Sequence, residues 1–160
     1  MTLARTLVSL SLLALLGACG GPGDSAAVPE AQPAGATSAD IGDFVVHFSA
    51  QSTVELPREV ALAYQISRIE NGAMINVSII RKSDNAPVSG DVSLKAVNLT
   101  GQLKDITMRK LEEPGDVVAI YYIFETDIRN RETLVFDISV RPEGANETSV
   151  IRFKRQFYTD

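Results

Sequence analysis

The sequence predicts an all-β fold, an antiparallel immunoglobulin-like or fibronectin-like sandwich of about seven or eight strands, with a small β-barrel as the alternative. Three observations carry the prediction. From Ile41 onward the apolar residues recur mostly with period two, the spacing that puts alternate side chains on one face of a half-buried strand. Turn signals interrupt that pattern at short intervals, at Asn71-Gly72, Asp84-Asn85-Ala86-Pro87, Glu113-Pro114-Gly115-Asp116 and Pro142-Glu143-Gly144-Ala145-Asn146. Only one stretch suggests a helix. Trp is absent and there is a single Cys, so the likeness to antibody-type domains is of architecture alone.

The first strand is expected over about residues 42 to 52, where Phe44, Val46 and Phe48 alternate with Val45, His47 and Ser49. Leu56 to Tyr64 breaks the alternation, and Pro57 suits a first helical position, so one short helical turn is expected there. Gln65 to Ile69 and Ala73 to Arg81 flank Asn71-Gly72, which reads as a hairpin because both turn residues tolerate positive φ. Val92, Leu94 and Ala96 alternate with Ser93, Lys95 and Val97, and Ile106 with Met108 marks a further strand. Residues 117 to 127, VVAIYYIFETD, are apolar on both faces, which predicts a central strand covered on both sides or an exposed sticky patch. Leu134, Phe136, Ile138 and Val140 alternate with Val135, Asp137, Ser139 and Arg141. In the last strand Ile151, Phe153 and Phe157 share one face and Arg152, Lys154 and Gln156 the other.

The first forty residues follow a different grammar. Met1 to Arg5 carries one positive charge, and Thr6 to Leu16 is a Leu-rich apolar run, too short for the roughly 20 residues that a spanning helix needs. Leu16-Gly17-Ala18-Cys19 resembles the bacterial lipobox, a plain secretory signal being the alternative. The resemblance implies a lipoprotein of a Gram-negative-type bacterium, with acyl chains such as palmitate on Cys19 as the mature N-terminus. Gly20 and Gly21 stand where an Asp would hold such a protein at the inner membrane, so the periplasmic leaflet of the outer membrane is favoured. Residues 20 to 40 are rich in Gly, Pro, Ala and Ser and hold too little apolar surface to fold. The expected organisation is a signal peptide over 1–18, a lipidated Cys and flexible tether over 19–40, and one sandwich domain over 41–160.

Four separated passages resemble a known family in the right order: Gly42-Asp43-Phe44-Val45-Val46-His47-Phe48, Leu56-Pro57-Arg58-Glu59-Val60-Ala61, Asn98-Leu99-Thr100-Gly101-Gln102, and Gln156-Phe157-Tyr158-Thr159-Asp160. The family is the small exported bacterial one catalogued as domain of unknown function 4426. The resemblance covers about residues 41 to 160 and implies a secreted or periplasmic β-sandwich. It implies no activity and brings no catalytic residues.

The residues themselves offer little catalytic vocabulary. His47 is the only imidazole, and its place opposite the Phe44-Val46-Phe48 face suits a surface position. No Gly-x-Ser-x-Gly elbow, His-Glu-x-x-His helix, phosphate loop or Cys pair is present. Glu112 with Glu113, or Glu125 with Asp127, would serve glycoside chemistry only if each pair faced one cleft. No enzyme activity, cofactor or metal is therefore expected. The formal net charge is -5, and loss of Arg5 with the signal makes the chain more acidic still, which argues against nucleic acid as a partner.

Arg152, Lys154, Tyr121 and Tyr122 are the candidate interaction residues. The two cations belong with Arg155 to the one basic cluster, which suits acidic lipid heads or an acidic partner segment unless it is simply a solvated strand face. The two tyrosines point to opposite faces of their strand and suit an interface as well as a core. Arg155 shares the alternation of Ile151 and Phe153, so it should pair with a carboxylate or lie at the edge of the core. Asn98 should pin its own loop by hydrogen bonds to nearby backbone. Two functional readings stay open. One is a non-enzymatic accessory module that binds an envelope protein by a sandwich face or a strand edge, its membrane contact being the lipid anchor. The other is a binder of a small envelope ligand, such as a glycan or lipid, in a cleft.

Overall fold

A computed structural model describes residues 29–159. The expected signal peptide, Cys19 and the start of the tether lie outside the described residues. Among the described residues there are eight strands: β1 (Ser38–Ile41), β2 (Phe44–Ser52), β3 (Gly72–Arg81), β4 (Gly90–Asn98), β5 (Thr107–Glu113), β6 (Ala119–Asp127), β7 (Thr133–Pro142) and β8 (Ser149–Gln156). They form a five-stranded sheet of order β1-β2-β3-β6-β5 and a three-stranded sheet of order β4-β7-β8, with every neighbouring pair antiparallel. The two sheets remain separate, so the fold is the expected sandwich and not the barrel.

The period-two pattern becomes the packing directly. Leu134, Phe136, Ile138 and Val140 of β7 and Ile151 and Phe153 of β8 turn inward, against Phe48 of β2, Ile75, Val77 and Ile79 of β3, and Phe124 of β6. β6 is covered on both faces, the first of the two outcomes its sequence allows. Phe124 and Tyr122 enter the main core, while Ile123 lies in a smaller outer cluster with Met74, Leu56, Ala61 and Ile66, flanked by Tyr121 and Tyr64. The cover on that outer face is α1 (Arg58–Ala63), with Pro57 just before its first turn. Val117 and Val118, ahead of β6, stay exposed.

Two segments depart from the sequence expectations. Gln65 to Ile69 is not a strand, and β3 pairs with β2 instead, so Asn71-Gly72 does not join a hairpin. Ile66 is drawn under the helix, where its N–H donates to Ala61 O at 2.8 Å, and the buried Thr53 hydroxyl exchanges hydrogen bonds with the backbone of Ile69 at 2.9 and 3.0 Å. Gly72 is needed for space and not for a positive φ, since a Cβ there would stand 2.6 Å from Ile69 Cγ1. The second departure is β1, which begins within the segment expected to be a loose tether. Thr37 O accepts from Phe48 N at 2.8 Å, and upstream Ala31 forms a parallel bridge to Arg152, with Gln32 N donating to Arg152 O at 2.7 Å. The chain from Ala31 to Ile41 thus crosses from the β8 edge of one sheet to the β2 side of the other.

Candidate functional site

β5 ends the five-stranded sheet and, among the described residues, pairs only with β6, so the backbone groups on its other side have no strand partner. Its core sequence is Arg109-Lys110-Leu111-Glu112-Glu113, two cations and two anions about a leucine. Leu111 packs on the outer cluster beneath Tyr64 and Tyr121, whose ring centroids are 6.4 Å apart. Tyr64 holds both flanking charges on that face: Arg109 Nη1 donates to Tyr64 O at 2.9 Å, and the Tyr64 hydroxyl donates to Glu113 Oε1 at 2.8 Å. Hydrogen bonding to the Glu113 carboxylate, followed by burial and the negative charge of Glu113, pushes the Tyr64 hydroxyl up to about 12. Arg109 also pairs with Glu125 on β6. On the opposite face of β5, Lys110 meets Glu112 at 2.8 Å and donates to Ser89 Oγ at 3.0 Å. Three exposed apolar side chains, Met108, Val117 and Val118, lie on this edge and its hairpin turn.

Between the edges of the two sheets runs an open groove of about 540 Å³, lined by Val92, Met108, Lys110, Tyr122, Ser139 and Arg141 among others. It offers a single aromatic ring. The end of the sandwich beside the Asn98 loop carries a smaller hollow of about 290 Å³ that includes Gln102, Lys104 and Thr126. Asn98 does pin its loop: its Oδ1 accepts from Thr100 N, Thr100 Oγ1 and Gln102 N at 3.1, 2.7 and 2.9 Å. Nearby, Lys104 and Glu132 form an ion pair at 3.1 Å with most of both side chains covered. Burial opposes the charge on Glu132, but Lys104, the Arg129 amide and Asn98 together hold its carboxyl below the usual carboxylate range.

The candidate residues do not converge. Tyr122 is buried, and its hydroxyl is occupied by Gly90, whose N–H donates to it and whose carbonyl accepts from it, each at 2.8 Å. Its ring packs in the core and its hydroxyl joins the sheets. Tyr121 is half-buried beneath Tyr64. Arg152 is held by a two-point pair with Asp137, at 2.6 Å for each bond. Lys154 and Arg155 are exposed on or beside β8, and Arg109 and Lys110 belong to the other sheet, so the basic residues form no single patch. His47 is exposed on β2. Glu112 and Glu113 point to opposite faces of β5. Glu125 and Asp127 line one hollow of about 290 Å³, but Glu125 is engaged by Arg109. No group of three or more His, Cys, Asp or Glu could hold a metal ion among the described residues. Sequence reading missed the β5 edge. The charge order of residues 109 to 113 was visible, but its meaning depends on β5 being terminal in its sheet.

The fold and these surfaces define a small antiparallel β-sandwich domain with a free strand edge and no assembled catalytic constellation among the described residues. The family model described as "Domain of unknown function (DUF4426)" matches residues 38–160, and the chain belongs to that family. A crystal structure of a DUF4426 family protein from Pseudomonas aeruginosa PAO1 is similar, with a TM-score of 0.64 and 31% identity over 77% of this chain and 94% of that chain. A family 123 glycoside hydrolase from Clostridium perfringens aligns at a TM-score of only 0.35 and 11% identity, over 70% of this chain and 27% of that chain. That second likeness says nothing about activity. No curated protein matches the sequence.

Proposed function

We propose that the protein is a lipid-anchored, non-enzymatic accessory module of the cell envelope, held at the periplasmic side of the outer membrane through Cys19, and that it binds a protein partner by adding a strand to β5. The carrying observation is the free outer side of β5 with exposed Met108 on it and Val117 and Val118 beside it. Strand addition supplies affinity through the backbone and specificity through alternate side chains. A small envelope ligand is the second reading. The groove beside β5 could take one, but its only ring, Tyr122, has already committed its hydroxyl to Gly90.

The test places a photo-crosslinking side chain at Met108 or, as the control, at Lys154 in the intact chain in its own envelope. Protein adducts at Met108 and none at Lys154 are the expected result. Equal labelling at both sites, or none at Met108, would remove β5 as the docking edge. Cys19→Ala, followed by membrane fractionation, tests the anchor separately. Loss of acylation and release from the membrane fraction are expected, and an unchanged distribution would refute the lipobox reading.

A further inference from the structure

The order of charges on β5 indicates what pairs with it. We infer that the free edge receives β5 of a second copy of this chain, the two strands running antiparallel about a twofold axis through Leu111. This rests on β5 being a docking edge and names the occupant.

A twofold axis normal to the sheet keeps every side chain on its own face, so it must pass midway between the two copies of one residue, which then face each other directly. With the axis at Leu111, Lys110 faces Glu112 of the other copy on one face of the sheet, and Arg109 faces Glu113 on the other face. The same pairs repeat on each side of the axis. Directly opposed cross-strand residues of opposite charge stabilise pairing, and like charges oppose it. The adjacent registers are rejected by the same rule. An axis through Arg109 or Lys110 sets two cations face to face, and one through Glu112 or Glu113 sets two carboxylates face to face.

Edge strands commonly carry charges that discourage indiscriminate pairing, and here, among axes through residues 109 to 113, those charges leave one self-pairing register open. Tyr64 holds Arg109 and Glu113 from behind through its carbonyl and hydroxyl, which reduces the ordering required on association. In that register Met108 lies opposite Pro114 of the other copy, next to the turn that exposes Val117 and Val118. The exposed Met108 side chain would thus meet the other copy in the same contact that pairs the charges.

Cysteines introduced one at a time beside the native Cys19, in the full chain left in its envelope and with the unsubstituted chain as the control, read the register. Directly opposed Cα atoms lie about 4.5–5.5 Å apart, within disulfide reach, whereas diagonal ones lie about 7–8 Å apart. Leu111→Cys should therefore give a reducible homodimer, and Lys110→Cys should not. Adding Lys110→Glu or Glu112→Lys to Leu111→Cys should each lower the dimer yield roughly tenfold, because each sets like charges opposite one another. Lys110 and Glu112 are exposed, so neither change threatens folding. Co-expression of the two charge variants should restore the yield as a mixed dimer, since each then faces its opposite. Crosslinking as efficient from Lys110→Cys as from Leu111→Cys overturns the register. Absence of a dimer, with the Met108 adduct made to a different protein, overturns the second copy as occupant and leaves the docking edge standing. Absence of both dimer and adduct overturns both.

Discussion

Tyr122 and Gly90 tie the two sheets together, the phenol of one exchanging two hydrogen bonds of 2.8 Å with the backbone of the other. Gly90 opens β4 at the edge of its sheet, with its N–H and carbonyl turned away from β7, as the backbone groups of Ala96 and Asn98 are further along the strand. The close approach also requires glycine, because a Cβ at this position would stand 2.6 Å from the carbonyl oxygen of Arg141. The ring that fills the core and the hydroxyl that completes the edge of β4 therefore belong to one residue.

Tyr122→Phe should keep the ring packing and strand both backbone groups of Gly90. Gly90 is half-buried, and losing such a hydrogen bond costs about 0.5–1.5 kcal/mol, so the denaturant midpoint should fall with an unchanged slope. A midpoint equal to that of the unsubstituted protein would mean that water satisfies Gly90 at no cost and that the link between sheets is incidental.

The Tyr64–Glu113 hydrogen bond gives a prediction in alkali. The Tyr64 hydroxyl is raised from 10.0 to about 12, chiefly by that bond. The group is neutral when protonated and its folded value is raised, so its contribution to stability is fully present below the unfolded value and is lost as pH rises through about 12. Glu113→Gln removes the carboxylate charge and should bring the Tyr64 titration back toward the ordinary tyrosine value. Phenolate absorbance, with Tyr64→Phe to assign the transition, reads it. An unchanged titration in Glu113→Gln would show that burial, and not Glu113, sets the shift.

Strands with one buried face were legible because burial imposes the period-two pattern directly. Phe44-Val46-Phe48, Leu134-Phe136-Ile138-Val140 and Ile151-Phe153 all turn inward as their alternation demands. β1 was not legible: Ser38-Ala39-Asp40-Ile41 is held by backbone pairing to β2 and modest packing of Ala39 and Ile41, neither of which leaves a strong apolar signal. Gln65 to Ile69 reads as a strand beside Asn71-Gly72, but the helix and the Thr53 hydroxyl claim that segment, and no local pattern announces such a tertiary contact. Arg155 follows the inward alternation at the end of β8 yet is exposed, and its neighbour Phe157 returns to the core, where its N–H donates to Glu132 O at 2.8 Å. For the candidate interaction residues, the missing information was sheet order. It places Arg109 and Lys110 on a free edge and leaves Arg152 bound to Asp137 on the other sheet.

The last strand should be integral to the domain even though chain ends are commonly dispensable. The Phe153 ring lies 4.7 Å from that of Phe48 in the opposite sheet and 4.9 Å from that of Phe136 in its own, so it bridges the two halves of the core. Replacing such a residue by alanine removes its transfer energy and leaves a cavity, a loss of about 3–5 kcal/mol. Domains of this kind are stable by only about 5–15 kcal/mol, so Phe153→Ala should approach unfolding. Lys154 follows it on the exposed face, with no ion pair among the described residues, and Lys154→Ala should cost under about 0.5 kcal/mol. The two variants differ by one position and opposite faces, so a denaturant titration of both beside the unsubstituted protein isolates the effect of alternation from that of chain position. Equal midpoints for the two would mean that β8 contributes little to the folded state and that the contacts of Phe48 and Phe136 with Phe153 do not hold the sheets together.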